Sequence, residues 1–253
     1  MRIFLKTEDE IILLRAASQL ATRALIEVGR HVVPRLALSH LRNKVINAVM
    51  RTVPTESNSG KEALSSDTEF TFFVNGAYIE PSLEGECMLC EGDWLTVNCW
   101  VCLNGYYSFG AHTFIVGSSQ DDEPMISTLR DMLRQVVRRA SAGHSIKEMS
   151  RTVYSLHSHD PYVLQKTFGH GVGRNRVENP ILRMNPGVND TVLLKEGMCL
   201  VIALAFKHGR SHLIKPRLMH ESTFHNPFVP FGTTVVVRPG RPEILTSFET
   251  IVK

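Results

Sequence analysis

The sequence lacks any long hydrophobic run. No apolar stretch among its 253 residues approaches the length of roughly 20 residues that is needed to span a bilayer, so no membrane segment is predicted. The first ten residues, MRIFLKTEDE, contain no apolar run long enough for a signal peptide. We therefore expect a cytoplasmic protein without a membrane partner.

An excess of charge of one sign is also missing. The 28 basic and 25 acidic residues leave a formal net charge of +3. A balance this even does not indicate binding to nucleic acid. With 43% hydrophobic and 21% charged residues, the composition is typical of a globular protein with a sizeable core.

The sequence has only five cysteines, and because this number is odd, a framework of disulfide bonds is not favoured. Four of them form CxxC pairs with zinc-knuckle spacing, Cys87/Cys90 and Cys99/Cys102. The second pair lies in a strand-like run, TVNCWVCL, where residues three apart point to opposite faces. Buried, reduced thiols are therefore favoured over a zinc site. Four histidines between His208 and His225 have irregular spacing, which favours solvated side chains over a metal site.

Helical and strand patterns alternate in the same order twice. Thr7 and Glu10 form a capping-box pattern ahead of a long helical stretch, and a second helix is predicted from Leu36 to Val53. Three strands are then predicted: Phe70 to Asn75, Trp94 to Cys102 and Tyr106 to Val116.

The second half repeats two helices, Pro124 to Ala142 and Ser145 to Ser158, before more strands. The predicted strands are Val163 to Phe168, Cys199 to Phe206, Thr233 to Arg238 and Glu243 to Leu245. This order predicts a single α+β domain, residues 1–253, made of two related halves at about 1–118 and 119–253.

Seven segments together resemble type I methionine aminopeptidases of the peptidase M24 family. They follow the family's order over nearly the whole chain: IFLKTEDEIILLRAASQLA, VNGAYIEP, EGDWLTVN, GYYSFGAHTFIVG, FGHGVGRNRVENP, LKEGMCLVIA and TTVVVRPGRPEILT. The resemblance implies the pita-bread fold, a pseudo-twofold antiparallel sheet embraced by two pairs of helices.

The family's chemistry depends on two divalent metals, held by two aspartates, one histidine and two glutamates. Such metals require charged oxygen ligands, and they activate a bridging water. Carried onto this sequence, the five ligand positions become Asn98, Phe109, His170, Ala203 and Gly232. Only His170 still has a ligating side chain of the family's kind. We therefore expect no metal and no other cofactor.

Two further family positions, which contact substrate through histidines, become Val177 and Glu80. His170 is a candidate general base or hydrogen-bond donor, with a structural role in the GHGVG loop as the alternative. Glu80 is a candidate acid or anchor for a cationic group, with an exposed loop charge as the alternative. His112 is a possible pocket residue.

Three functions remain open. The favoured one is a catalytically inactive, metal-free homologue whose groove binds a protein or peptide, as metal-free relatives in the wider family act as protein- or RNA-binding modules. The second is a metal-independent hydrolase resembling creatinase, with His170 as general base. Against it, creatinase-like proteins carry an extra N-terminal domain. The third, an active metal enzyme with misaligned ligands, is disfavoured by the motif spacing.

Overall fold

The computed structural model describes residues 2–53, 64–117, 124–157, 163–164, 167–185, 192–207, 228–247 and 251. Within these ranges the helices are α1 Glu8–His31, α2 Leu38–Thr52, α3 Pro124–Arg138 and α4 Ile146–His157. The strands are β1 Glu69–Val74, β2 Ala77–Tyr78, β3 Trp94–Leu103, β4 Tyr106–Ile115, β5 Val163–Leu164, β6 Thr167–Gly171, β7 Glu178–Arg183, β8 Cys199–Lys207, β9 Phe228–Val236 and β10 Glu243–Ile244. A short 3-10 turn covers Pro81–Leu83. Not one described helix combines the length and apolar character needed to cross a membrane.

The start of α1 confirms the predicted capping box. The Thr7 hydroxyl accepts a hydrogen bond from the Glu10 amide at 3.3 Å, and the Glu10 carboxylate accepts one from the Thr7 amide at 3.1 Å. These bonds satisfy two amide groups that would otherwise lack partners at the beginning of the helix.

The strands form one antiparallel sheet in the order β2-β1-β3-β4-β9-β8-β6-β7, with β10 paired to β9 and β5 paired to β8. Strands from the first part of the chain occupy one side of the sheet. Those from the second part occupy the other, and the two groups meet where Ala111 of β4 pairs with Gly232 of β9. The division into two related halves at about residue 118 stays a prediction.

Both helix pairs cover the same face of the sheet. Val97 and Cys99 of β3 pack in a core with α1 and α2, and Leu200 and Phe231 pack in a second core with α3 and α4. Each fully buried side chain of this size contributes about 1.5–3 kcal/mol. Because side chains alternate along a strand, the intervening residues of β3, β4, β8 and β9 face away from the helices. The predicted α+β architecture, an antiparallel sheet covered by two pairs of helices, is thereby confirmed.

Some boundaries differ from the predictions. The sequence analysis missed β7, which contains Pro180. Proline is tolerated there because β7 ends the described strand order and needs hydrogen-bond partners on one side only. Similarly, β9 begins at Phe228. The prediction started it at Thr233, because Pro230 and Gly232 interrupt the apolar pattern of the sequence.

Candidate functional site

Three of the five positions that the sequence analysis aligns with the family's metal ligands, called the former ligand positions below, lie in one row across the centre of the sheet. Asn98 pairs with Ala111, Ala111 with Gly232, and Gly232 with Ala203. Paired residues of antiparallel strands project from the same face, and here it is the face away from the helices. His170 of β6 pairs with the β8 residue two before Ala203, so it projects from this face too. The structure thus brings these positions together.

The ring of Phe109 fills the middle of this row. A Cβ atom added at Gly232 would lie 2.6 Å from Cε1 of Phe109 and 3.1 Å from the Cβ of Ala203. Phe109 is only 7% exposed, and its ring centroid lies 4.8 Å from that of Trp100. The ring therefore occupies the space into which a glutamate at position 232 would extend.

Asn98 contributes an unpaired acceptor. Its Oδ1 atom is buried and has no hydrogen-bond partner among the described residues. Leaving such a group unsatisfied costs about 1–3 kcal/mol. The amide is neutral, so it supplies a dipole at the first former ligand position and no negative charge.

His170 is held as a neutral imidazole. Its Nδ1 lies 2.9 Å from the carbonyl oxygen of Gly171, and since a carbonyl only accepts, Nδ1 carries the proton. In the neutral ring Nε2 is then a hydrogen-bond acceptor. Burial lowers the pKa of His170, and the bond to Gly171 opposes this shift only in part. The residue has the protonation state that a general base requires.

Trp100 links the remaining parts of the site, and the sequence analysis missed it. Its ring stacks on His170 at a centroid distance of 6.1 Å and an interplanar angle of 8°, besides its contact with Phe109. These three residues are called the aromatic cluster below. Trp100 lies two positions after Asn98 on the same strand, so strand alternation was a signal that could have found it.

Arg176, also missed, lies over the aromatic cluster. Its guanidinium carbon is 5.7 Å from the Trp100 ring centroid and 5.8 Å from that of Tyr107. Its Nη1 donates to the Glu69 carboxylate at 2.8 Å, and its Nη2 donates to the carbonyl oxygen of Asp67. The loop between β6 and β7 is thereby fastened to strands β1, β3 and β4.

The two former substrate-contact positions lie at the surface. Val177, next to Arg176, is 58% exposed. Glu80 is exposed and precedes the 3-10 turn, where its carbonyl accepts from the Leu83 amide at 2.9 Å. Within the described residues, the Glu80 side chain forms no hydrogen bond or ion pair, with His170 or any other group.

The position of His112 corrects the sequence analysis, which predicted that it is a possible pocket residue. It is fully buried and pairs with Val97, whose side chain faces the helices. Its ring lies 4.7 Å from that of Phe114 and 4.6 Å from that of Phe231. It lies three positions after Phe109 on the same strand, and an odd offset along a strand places the two side chains on opposite faces.

The donor set does not fit a pair of divalent metals. Among the five former ligand positions only His170 offers a ligand atom of the required kind, and the described part of the chain has no group of three His, Cys, Asp or Glu that could hold an ion. None of the five cysteines, all of which lie in the described part of the chain, forms a disulfide, and burial raises the pKa of the Cys99 thiol. The stretch from His208 to His225 lies outside the described residues.

Known proteins of similar sequence and structure agree with this fold. A model of metallopeptidase family M24 matches residues 12–237. The methionine aminopeptidase of Clostridium perfringens is 25% identical over 248 residues, covering 96% of this chain and 98% of that protein, and that of Helicobacter pylori is 28% identical over 225 residues, covering 85% and 87%.

Two solved structures share this architecture, which confirms the predicted pita-bread fold. The methionine aminopeptidase of Thermotoga maritima superposes with a TM-score of 0.78 at 21% identity, covering 97% of this chain and 100% of that one. The prolidase of Pyrococcus furiosus superposes with a TM-score of 0.71 at 20% identity, covering 97% and 66%. The match of the family model over most of the sequence, together with these relatives, shows that the chain belongs to metallopeptidase family M24.

Proposed function

We propose that this chain is a metal-free member of its family that binds a protein or peptide in the former substrate groove without hydrolysing it. The observation that carries this proposal is the position of Phe109. Its ring packs against Gly232 and Ala203, where two carboxylate side chains would otherwise meet a metal pair.

Electrostatics supports the same conclusion. Two divalent cations bring four positive charges, which four carboxylates offset in the family site. Here those positions carry an amide, a phenyl ring, a methyl group and a hydrogen atom. An uncompensated ion in a partly buried site costs several kcal/mol or more, and one neutral imidazole does not recover that cost.

The groove nevertheless retains surface that a ligand can reach. Asn98, Trp100, His170 and Ala203 are all only partly buried. They combine a hydrogen-bond acceptor, Nε2 of His170, with a large aromatic ring, whereas the Oδ1 atom of Asn98 is buried. Buried aromatic anchors beside a few polar groups are typical of binding sites for peptides and small ligands.

The first experiment separates binding from turnover. The purified protein is analysed for bound metals and then assayed with a Met-Ala-Ser peptide in the presence of cobalt or manganese. We expect no bound metal and no release of methionine. Methionine release that exceeds a no-protein blank would contradict the proposal.

Binding is measured by titration calorimetry against peptides of varied sequence. We expect at least one class of peptide to bind the native protein, and Trp100→Ala to weaken its affinity on the order of tenfold or more, as for a central aromatic anchor. Tyr154→Ala is the matched control, because Tyr154 is a 64% exposed aromatic residue on α4. Equal losses of peptide affinity in both variants would contradict binding in the groove.

A second candidate function is a metal-independent hydrolase with His170 as general base. The neutral imidazole, whose Nε2 atom is a hydrogen-bond acceptor, favours it. Because Glu80 is not bonded to His170, the base would act without that carboxylate. A screen of small amides tests the idea: hydrolysis by the native protein that disappears in His170→Ala supports it, and equal background rates reject it.

A further inference from the structure

The surroundings of Arg176 form a complete binding site for a guanidinium group. Two aromatic faces, those of Trp100 and Tyr107, lie within 6 Å of its guanidinium carbon. One carboxylate, from Glu69, and one backbone carbonyl, from Asp67, accept its hydrogen bonds. Aromatic faces attract cations, and a guanidinium group matches a carboxylate and a carbonyl through its fork of N–H donors.

The walls of this site are held by contacts that do not involve Arg176. Glu69 pairs with Trp100 across β1 and β3, and the Glu69 carboxylate also accepts from the Thr71 hydroxyl at 3.2 Å. The Tyr107 hydroxyl donates to the Asp67 carboxylate at 2.5 Å. The arrangement of carboxylate, carbonyl and rings therefore persists when the arginine side chain moves away.

Arg176 is accessible enough for a second arginine to compete with it for these contacts. Its side chain is 35% exposed and that of Glu69 is 52% exposed, and ion pairs at such exposure contribute little. The loop has independent anchors: the Tyr107 amide donates to the Gly173 carbonyl at 2.8 Å, and Arg174 lies 4.7 Å over the ring of Tyr106. The side chain of Arg176 can swing out while the loop stays in place.

We infer that Trp100, Tyr107, Glu69 and the Asp67 carbonyl form a seat for an arginine side chain of the bound protein or peptide, and that Arg176 occupies this seat in the free protein. The inference rests on the proposed function, because it names the chemistry of the ligand for the same groove. The seat adjoins the aromatic cluster through Trp100, so an arginine bound there places the rest of the ligand along the groove.

Self-occupation has a measurable consequence. A ligand that needs the seat vacant binds with an apparent affinity reduced by the fraction of time for which the seat is free. If Arg176 occupies the seat nine-tenths of the time, its removal tightens binding on the order of tenfold.

The probe for the test is N-acetyl-arginine amide, measured by calorimetry and by the indole fluorescence that Trp100 contributes. We expect Arg176→Ala to bind this probe on the order of tenfold more tightly than the native protein. N-acetyl-citrulline amide, a neutral molecule of nearly the same shape, should not bind. Adding Glu69→Gln to Arg176→Ala should weaken binding on the order of tenfold, through loss of the charged acceptor.

Arg134→Ala is the matched control, because Arg134 on α3 is 36% exposed, nearly as Arg176 is, and its removal leaves the seat and its loop intact; this variant should behave as the native protein does. Equal binding by the native protein and Arg176→Ala, or equal binding of arginine and citrulline probes, would overturn the inference. Arg176→Gln serves as a second variant should the alanine form fail to fold.

The failures of the two proposals can be told apart. If arginine-free peptides bind the native groove as tightly as arginine-containing ones, the seat is wrong and the proposed function stands. If Arg176→Ala binds the arginine probe but neither protein binds any peptide, the seat is a cation site and the proposed function falls.

Discussion

The contact between Phe109 and Gly232 can be tested by a double-mutant cycle. In Gly232→Ala, the new methyl group would lie 2.6 Å from the Phe109 ring and 3.1 Å from the Ala203 methyl. The ring cannot turn aside easily, because Trp100 lies against it at 4.8 Å. Overpacking of this kind costs about 1–3 kcal/mol.

The same substitution should behave differently once the ring is gone. Phe109→Ala alone should destabilise the protein by about 3–5 kcal/mol, the usual cost of truncating a buried phenylalanine. In that background Gly232→Ala no longer meets the ring, and only the contact with the Ala203 methyl at 3.1 Å remains. Replacing a strand glycine by alanine is then expected to stabilise the protein by about 0.5–1 kcal/mol. The coupling between the two changes is therefore expected at about 1.5–4 kcal/mol, from the sum of the two effects.

Urea unfolding of all four proteins measures the coupling, with the free energy of unfolding taken from the midpoint and slope. Ala111→Gly, on the same row of the sheet, controls for a general effect of backbone flexibility in this region. Effects that add within about 0.5 kcal/mol would refute the claim that the ring fills the space above Gly232.

Two further results are expected. Burial holds the pKa of His170 in the folded protein below its ordinary value of 6.5, so the unfolded chain binds more protons between those two values. The contribution of His170 to stability is therefore full above about pH 6.5 and is lost as the pH falls towards the folded pKa. His170→Gln should lack this pH-dependent part of the free energy of unfolding, and an unchanged pH profile would reject the argument. The ion pair between Lys6 and Glu178, at 2.6 Å with side chains 4% and 5% exposed, should cost about 3–5 kcal/mol when broken by Lys6→Met. The more exposed ion pair of Arg134 and Asp131 is the control, and Arg134→Met should lower the free energy of unfolding by only about 0–1 kcal/mol. Similar losses of stability in both variants would count against burial as the cause.

Much of the fold was predictable, because local patterns carry it. The capping box at Thr7 and the apolar spacing after it locate α1, and the alternation around the turn at Asn104 locates β3 and β4. The strand β7 was not predictable in this way, because Pro180 argues against a strand unless its neighbours in the sheet are already known.

The site was predictable in part. Resemblance to the family located Asn98, Phe109 and His170, but it does not say what the replacements do. Arg176 lies 107 residues from Glu69 along the chain, and no local pattern connects two such residues. His112 shows the opposite limit, since counting positions along β4 from Phe109 would have placed it on the helix face.

The packing of Phe109 over Gly232 also bears on how readily this chain could regain a two-metal centre. A glutamate introduced at 232 alone collides with the ring, and an aspartate introduced at 109 alone is a solitary anion beside Trp100, with no cation to neutralise it. Both of these single substitutions are thus unfavourable by themselves, and a benefit from metal binding would arise only after several substitutions are combined. Single substitutions at these two positions therefore offer no gradual evolutionary route to a two-metal centre.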